Sequence, residues 1–156
     1  MTEPDEETLQ RLRLEAALGG QPVSYAYAEG YAVRAHPNGA RGWYRNDQRH
    51  RDDGPAVEWA DGTLEWRRHG LLHREDGPAV ERADGTLEWW RHGLLHREDG
   101  PAVERADGTL EWWRDGIQTD MLGAPLPVPT VQSIDHRQGV ITMAPTFLDT
   151  VRVEEK

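Results

Sequence analysis

The chain has no cysteine, a single lysine, Lys156, and a single phenylalanine, Phe147, among its 156 residues. Without cysteine there is neither a disulfide framework nor a thiolate zinc site, so nothing marks a secreted, stapled scaffold. No apolar run approaches the roughly 20 residues of a membrane span, and the acidic N-terminus is the opposite of a signal peptide's basic start. These absences predict a soluble, cytoplasmic protein with no membrane contact. Hydrophobic residues make up only 37% of the chain, and the mean hydropathy is −0.81. Such a chain has little with which to fill a deep core, so a thin, one-layer structure fits better than a globule. Eighteen bases stand against 28 acids, giving a net charge of −10. Arginines and acids are interleaved in every repeat, so no basic stripe is segregated and direct nucleic-acid binding is not expected.

What the chain does have is itself, copied. His69 to Trp89 recurs without change as His92 to Trp112, 23 residues on. Trp43, Trp66, Trp89 and Trp112 keep that period, as do Asp53-Gly54, Asp76-Gly77 and Asp99-Gly100 with the Pro-Ala-Val-Glu that follows each. The chain thus divides into an N-terminal cap, 1–23, a repeat region, 24–116, and a tail, 117–156. Within the repeats, 24–42 is a worn copy, 43–65, 66–88 and 89–111 are complete, and 112–116 is partial.

Inside one repeat the pattern is strand and turn. Leu87 and Trp89 alternate with Glu88 and Trp90, which places two columns on opposite faces. One is Trp43, Trp66, Trp89 and Trp112; the other is Tyr44, Arg67, Trp90 and Trp113. The strand stops at His92-Gly93, and a return strand, Ala102 to Ala106, is closed by Asp107-Gly108, a dipeptide suited to a type I′ turn. Each repeat then reads as a β-hairpin. An isolated hairpin is marginal in water, so neighbours must stack edge to edge into one twisted antiparallel sheet.

These residues resemble the MORN repeat, in the variant W-x-x-x-G-x-x-H-R-x-D-G-P-A found in phage, bacterial and large-virus proteins, some labelled antitoxin-like. The resemblance covers about 60% of the chain. It implies an all-β fold, an elongated single antiparallel sheet of tandem hairpins, used for protein contacts or self-association. Where the common unit carries His-Gly-x-Gly, this chain has His-Arg-Glu-Asp-Gly-Pro at 73–78 and 96–101, so the glycine-lined face and the lipid binding proposed for the family are not carried over.

The flanks complete the ladder. Pro4 to Leu18 reads as a helix, with acids in the first turn, Gly19-Gly20 as its end, and Leu9, Leu12, Leu14, Ala16 and Leu18 as an apolar stripe for the sheet. Leu122 to Pro129 reads as a stiff connector, and Gly139 to Met143 with Phe147 to Val153 as two short strands that close the far edge or dock a partner.

No catalytic constellation, cofactor motif or metal set stands out. His69 and His73 are four apart, but that spacing makes a ligand pair on a helix and not on a hairpin. His50, His73 and His96 recur with an arginine after each and Asp53, Asp76 and Asp99 three after each, the makings of a structural ladder that bonds the loops. Three equivalent copies do not make the single asymmetric pocket an enzyme needs. The expectation is a non-catalytic protein-binding module of inhibitor or immunity type, with Tyr44, Arg67, Trp90 and Trp113 as the candidate face. The alternatives are a self-assembling homo-oligomeric scaffold and an acidic DNA mimic that inhibits a nucleic-acid-binding protein.

Overall fold

The computed structural model describes residues 3–127, 131–135 and 140–143. One helix, α1 (Glu6–Gly19), precedes a series of antiparallel hairpins, which form an eleven-stranded sheet and, among the described residues, three two-stranded ones. Asp5 caps α1, its carboxylate accepting the Thr8 N–H at 2.9 Å. Glu6 and Glu7 complement the dipole in the first turn, and Gly20, left-handed at φ 62°, ends the helix. Leu9 packs with Val33 and Trp43, and Leu12 and Ala16 with Ala35, so α1 lies on the sheet face at the start of the ladder. Leu14 and Leu18 do not join that stripe. They are exposed, because at 100° per residue they fall on the side of the helix opposite Leu12 and Ala16.

The sheet begins with three longer strands, β1 (Val23–Ala28), β2 (Tyr31–Ala35) and β3 (Arg41–Arg45), paired in sequence. β4 (Gln48–Arg49) folds back on the end of β3. From there each repeat contributes two short hairpins. The first joins Val57–Glu58 to Leu64–Glu65, Val80–Glu81 to Leu87–Glu88, and Val103–Glu104 to Leu110–Arg114. These strands also pair with the neighbouring repeats, giving one eleven-stranded sheet that runs from β1 to Ile117–Thr119. The second hairpin joins Arg67–Arg68 to Leu71–Leu72 and Trp90–Arg91 to Leu94–Leu95. Single main-chain bonds tie each second hairpin to the next, such as Gly93 N–H to Leu72 C=O at 2.9 Å and Gly116 N–H to Leu95 C=O at 3.0 Å. The sequence reading counted one hairpin per repeat; the Leu-Leu segments are strands as well.

Trp66 and Trp89 sit at the junction of the two hairpins. The Trp89 N–H reaches forward to Ala102 C=O at 2.8 Å, while its C=O accepts His96 N–H at 3.0 Å.

The two turns differ from expectation in an instructive way. At Asp84-Gly85 only the glycine has positive φ. The Asp84 carboxylate accepts Thr86 N–H at 2.8 Å, which holds the aspartate in an ordinary conformation and leaves Gly85 alone left-handed, so this is no type I′ turn. The positive pair lies instead at His69-Gly70 and His92-Gly93, where both residues have positive φ in a two-residue loop, as type I′ requires.

The core is narrow. Ala56, Ala79 and Ala102 have no exposure, and Val57, Val80 and Val103 nearly none. Small side chains suffice because each repeat buries its column under the next, which is how so polar a chain folds.

The tail also departs from expectation. Asp120 to Ala124 makes a turn, and Leu126 N–H returns to Gln118 C=O at 3.0 Å, so the proline-rich connector folds back at its start. Val131–Asp135 pairs with Val140–Met143. The strand expected over Gly139 to Met143 thus pairs with one upstream of it, to which the sequence assigned no element; Phe147 to Val153 lies outside the described residues.

Candidate protein-binding face

Three side-chain ladders hold the repeats and define their two faces. The first is made of the recurring histidines. His50 Nδ1 accepts His69 N–H at 3.1 Å, His73 Nδ1 accepts His92 N–H at 3.2 Å, and His96 Nδ1 accepts Asp115 N–H at 3.1 Å. Each donor belongs to the left-handed turn of the following repeat, whose N–H has no strand partner to turn to. The His73 ring also stacks on His92, centroids 4.5 Å apart. Its Nε2 lies 3.5 Å from Glu75. Burial holds the pKa of His73 below the ordinary histidine value, against the pull of the Glu75 carboxylate. His69 faces His50, not His73, and among the described residues no three His, Asp or Glu side chains converge as a metal set.

The second ladder lies on the face that α1 covers at its start. Arg51, Arg74 and Arg97 stack on Trp43, Trp66 and Trp89 at 4.2, 4.0 and 3.9 Å from the ring centroids. Arg97 also donates to Pro101 C=O at 3.1 Å and to Glu104 at 2.7 Å. Arg74 repeats this with Pro78 and Glu81. Gly77 and Gly100 lie beneath these guanidinium groups, where a Cβ would come to about 3.0 Å from Arg74 or Arg97, so glycine lets the loop and the guanidinium pack closely. Gly54 stands in the same relation to Arg51. Asp76 and Asp99, each 3.1 Å from its arginine's Nε, point outward with Asp53.

The third ladder is on the opposite face, the candidate one. Glu88 accepts Arg82 Nε at 2.7 Å and Trp90 Nε1 at 2.9 Å. Glu111 does the same for Arg105 and Trp113. In the first complete repeat the partners trade places: Glu65 takes Trp59 Nε1 at 2.8 Å and Arg67 Nε at 2.7 Å. One tryptophan and one arginine bracket each carboxylate in either order. Arg67, Trp90 and Trp113 are half-buried in a row, their polar ends fixed and the rest of each side chain available. Tyr44 is not part of that surface. It is 8% exposed, lies against Gly42, and is covered by Arg34 at 4.4 Å from its ring centroid.

Two contributors were missed in the sequence. Glu65, Glu88 and Glu111 were given no role, although the exchange of Trp59 and Arg67 for Arg82 and Trp90 is visible in the aligned repeats. Thr63 and Thr86 are the others: their hydroxyls accept Ala83 N–H and Ala106 N–H at 3.1 and 3.2 Å, a stitch between repeats along the other edge.

The chain matches no family model, no curated protein and no solved structure.

Proposed function

We propose that this chain is a non-catalytic repeat module that binds another protein through the row formed by Arg67, Trp90 and Trp113, with Trp59 and Arg82 at its side. The observation that carries the reading is the carboxylate bracket: Glu88 and Glu111 each hold an indole edge by the same hydrogen bond. Half-exposed aromatic and arginine side chains supply most interface energy, and fixing them before binding lowers the ordering cost. The MORN-like character of the repeats agrees with use in protein contacts, and an inhibitor or immunity role in a bacterium or phage-infected cell, in the cytoplasm, is the setting we infer. The test is capture of a stoichiometric partner by the tagged chain, followed by loss of that capture in Trp90→Ala with Trp113→Ala. Undiminished binding by the folded variant removes this face from the function.

A second reading has its own support. Leu71, Leu94 and Ile117 form an exposed apolar column at the 23-residue period, and β1, Val-Ser-Tyr-Ala-Tyr-Ala, is an uncharged strand at the end of the sheet order. Both favour a homo-oligomer. Light scattering that shows a monomer at high concentration removes it.

A further inference from the structure

The two ends of the sheet differ. Beyond Ile117–Thr119 the chain turns back on itself: Leu126 N–H meets Gln118 C=O at 3.0 Å, Pro125 stands opposite Thr119, and Pro127 follows. Proline offers no N–H, so this return blunts the far end, and the short stretch beside it, Leu110-Glu111, bears a charge. The near end is β1, Val-Ser-Tyr-Ala-Tyr-Ala, which has β2 on one side and, among the described residues, no strand on the other. It carries neither charge nor proline, the usual guards of an open edge.

The register identifies the free main-chain groups of β1. Trp43 turns both of its groups away from β2: its N–H bonds Ala56 C=O at 2.8 Å, and its C=O accepts His50 N–H at 3.0 Å. Direction alternates along an antiparallel ladder. Gly42 and Tyr44 therefore bond Arg34 and Ala32 of β2, and Val33 and Ala35 face β1, where Tyr25 and Val23 are their partners. Ser24 and Ala26 are left with N–H and C=O pointing outward. Both residues are exposed, and no other bond in the described chain takes these groups. The window closes on either side. Pro22 precedes it without an N–H, and a bulge between Ala26 and Ala28 turns Ala28 inward to Tyr31.

What remains is symmetric about Tyr25. A two-fold axis there sets Ser24 of each copy against Ala26 of the other, and these pairs exchange main-chain bonds that use every free group. An axis through Ser24 brings Ala26 against Pro22, and one through Ala26 brings Ser24 against Ala28, so each loses bonds. With no charged side chain in β1, no like charges meet. Tyr25, 36% exposed, meets its own copy at the close, non-hydrogen-bonded position, where an aromatic pair adds cross-strand contact.

We propose that the chain forms a two-fold dimer in which β1 pairs antiparallel with β1 of a second copy, Ser24 opposite Ala26, joining the two ladders into one sheet. The proposal rests on the homo-oligomer reading and supplies its surface, its register and its limit of two copies. Arg67, Trp90 and Trp113 lie on later repeats and stay free, so the dimer presents that row twice.

The test is sedimentation equilibrium of the full chain, native and in two double variants at these exposed positions. The native chain is expected at twice 17.7 kDa. Ser24→Lys with Ala26→Lys sets lysine against lysine in the proposed register. It is expected to raise the dissociation constant about tenfold or more, the scale of two unfavourable cross-strand pairs, although it lowers the net negative charge. Ser24→Glu with Ala26→Lys sets glutamate against lysine in this register alone, and opposes like charges when the axis passes through either substituted position. It is expected to keep the dimer, which also shows that the fold tolerates charge there. A native monomer, including one whose β1 is taken only by a different protein, overturns both the proposal and the homo-oligomer reading. An oligomer that the two lysines leave unchanged, or that the glutamate with lysine breaks, overturns the proposal alone.

Discussion

The imidazole of His73 accepts the main-chain N–H of His92 across a repeat boundary, at 3.2 Å. The bond satisfies a donor in a left-handed turn, φ 51° at His92, and it ties the loop of one repeat to the hairpin of the next. In a ladder whose core is alanine and valine, such ties carry much of the connection between units. His73→Ala leaves the His92 N–H without its acceptor and is expected to destabilise the chain by about 1 kcal/mol, the net worth of a hydrogen bond. Urea unfolding measures it, and an unchanged midpoint contradicts the role given to the ladder.

The same bond sets a pH dependence. Nδ1 accepts only while it is unprotonated, and burial lowers the pKa of His73 in the folded chain. The folded state thus holds its proton less readily than the unfolded one, so the stabilisation is complete above the ordinary histidine value of about 6.5 and is lost as the pH falls below it toward the depressed folded value. Asp84 and Asp107, whose pKa values are lowered mainly by the N–H groups of Thr86 and Thr109, act in a separate window. Their contribution is present above the ordinary aspartate value of about 3.8 and is lost as the pH falls through their lower folded values. Urea midpoints across pH 8 to 5 are expected to drop, and less so in His73→Gln. A flat profile for the native chain contradicts the role of His73 Nδ1 as an acceptor.

Glu88 predicts a compensation. Arg82→Trp or Trp90→Arg alone places two like side chains around one carboxylate and is expected to cost about 1–2 kcal/mol, in the range of lost hydrogen bonds to a charged group. The double variant rebuilds the Trp59, Glu65, Arg67 arrangement of the preceding repeat. It is expected to recover at least half of the summed loss, a coupling that a double-mutant cycle reads directly. Simple additivity counts against the bracket.

Arg97 tests the other face. Lysine keeps the charge but cannot stack its plane on Trp89 while donating to Pro101 and Glu104. Arg97→Lys is expected to destabilise by about 1 kcal/mol, the scale of a stacked cation, and to alter tryptophan fluorescence. Native stability and an unshifted spectrum contradict the stacking role.

The repeat period, the hairpin character and the helical cap were legible in the sequence, because Trp43 to Trp112 and the Asp-Gly pairs mark a register that only stacking satisfies. The choice of turn was not. Asp-Gly suits type I′ in isolation, but the Asp84 bond to Thr86 N–H is a local competitor that the dipeptide alone does not reveal. The second hairpin was hidden because Leu94-Leu95 is too short to show alternation. Tyr44 was placed on the exposed face by parity, which is right for its direction and silent about Arg34 above it. The histidine ladder was foreseen as loop bonding, yet its partners lie in the next repeat, a relation between positions 19 apart that no local pattern contains. The helix stripe was overread at Leu14 and Leu18, since leucine content alone does not fix a face.

The most direct measurement is the affinity of the captured partner for the native chain and for Trp90→Ala with Trp113→Ala, each confirmed folded by circular dichroism. Loss of at least a hundredfold in affinity is expected if the carboxylate-held row is the binding face. Equal affinity, or recovery of the chain alone as a defined oligomer with no partner, contradicts it.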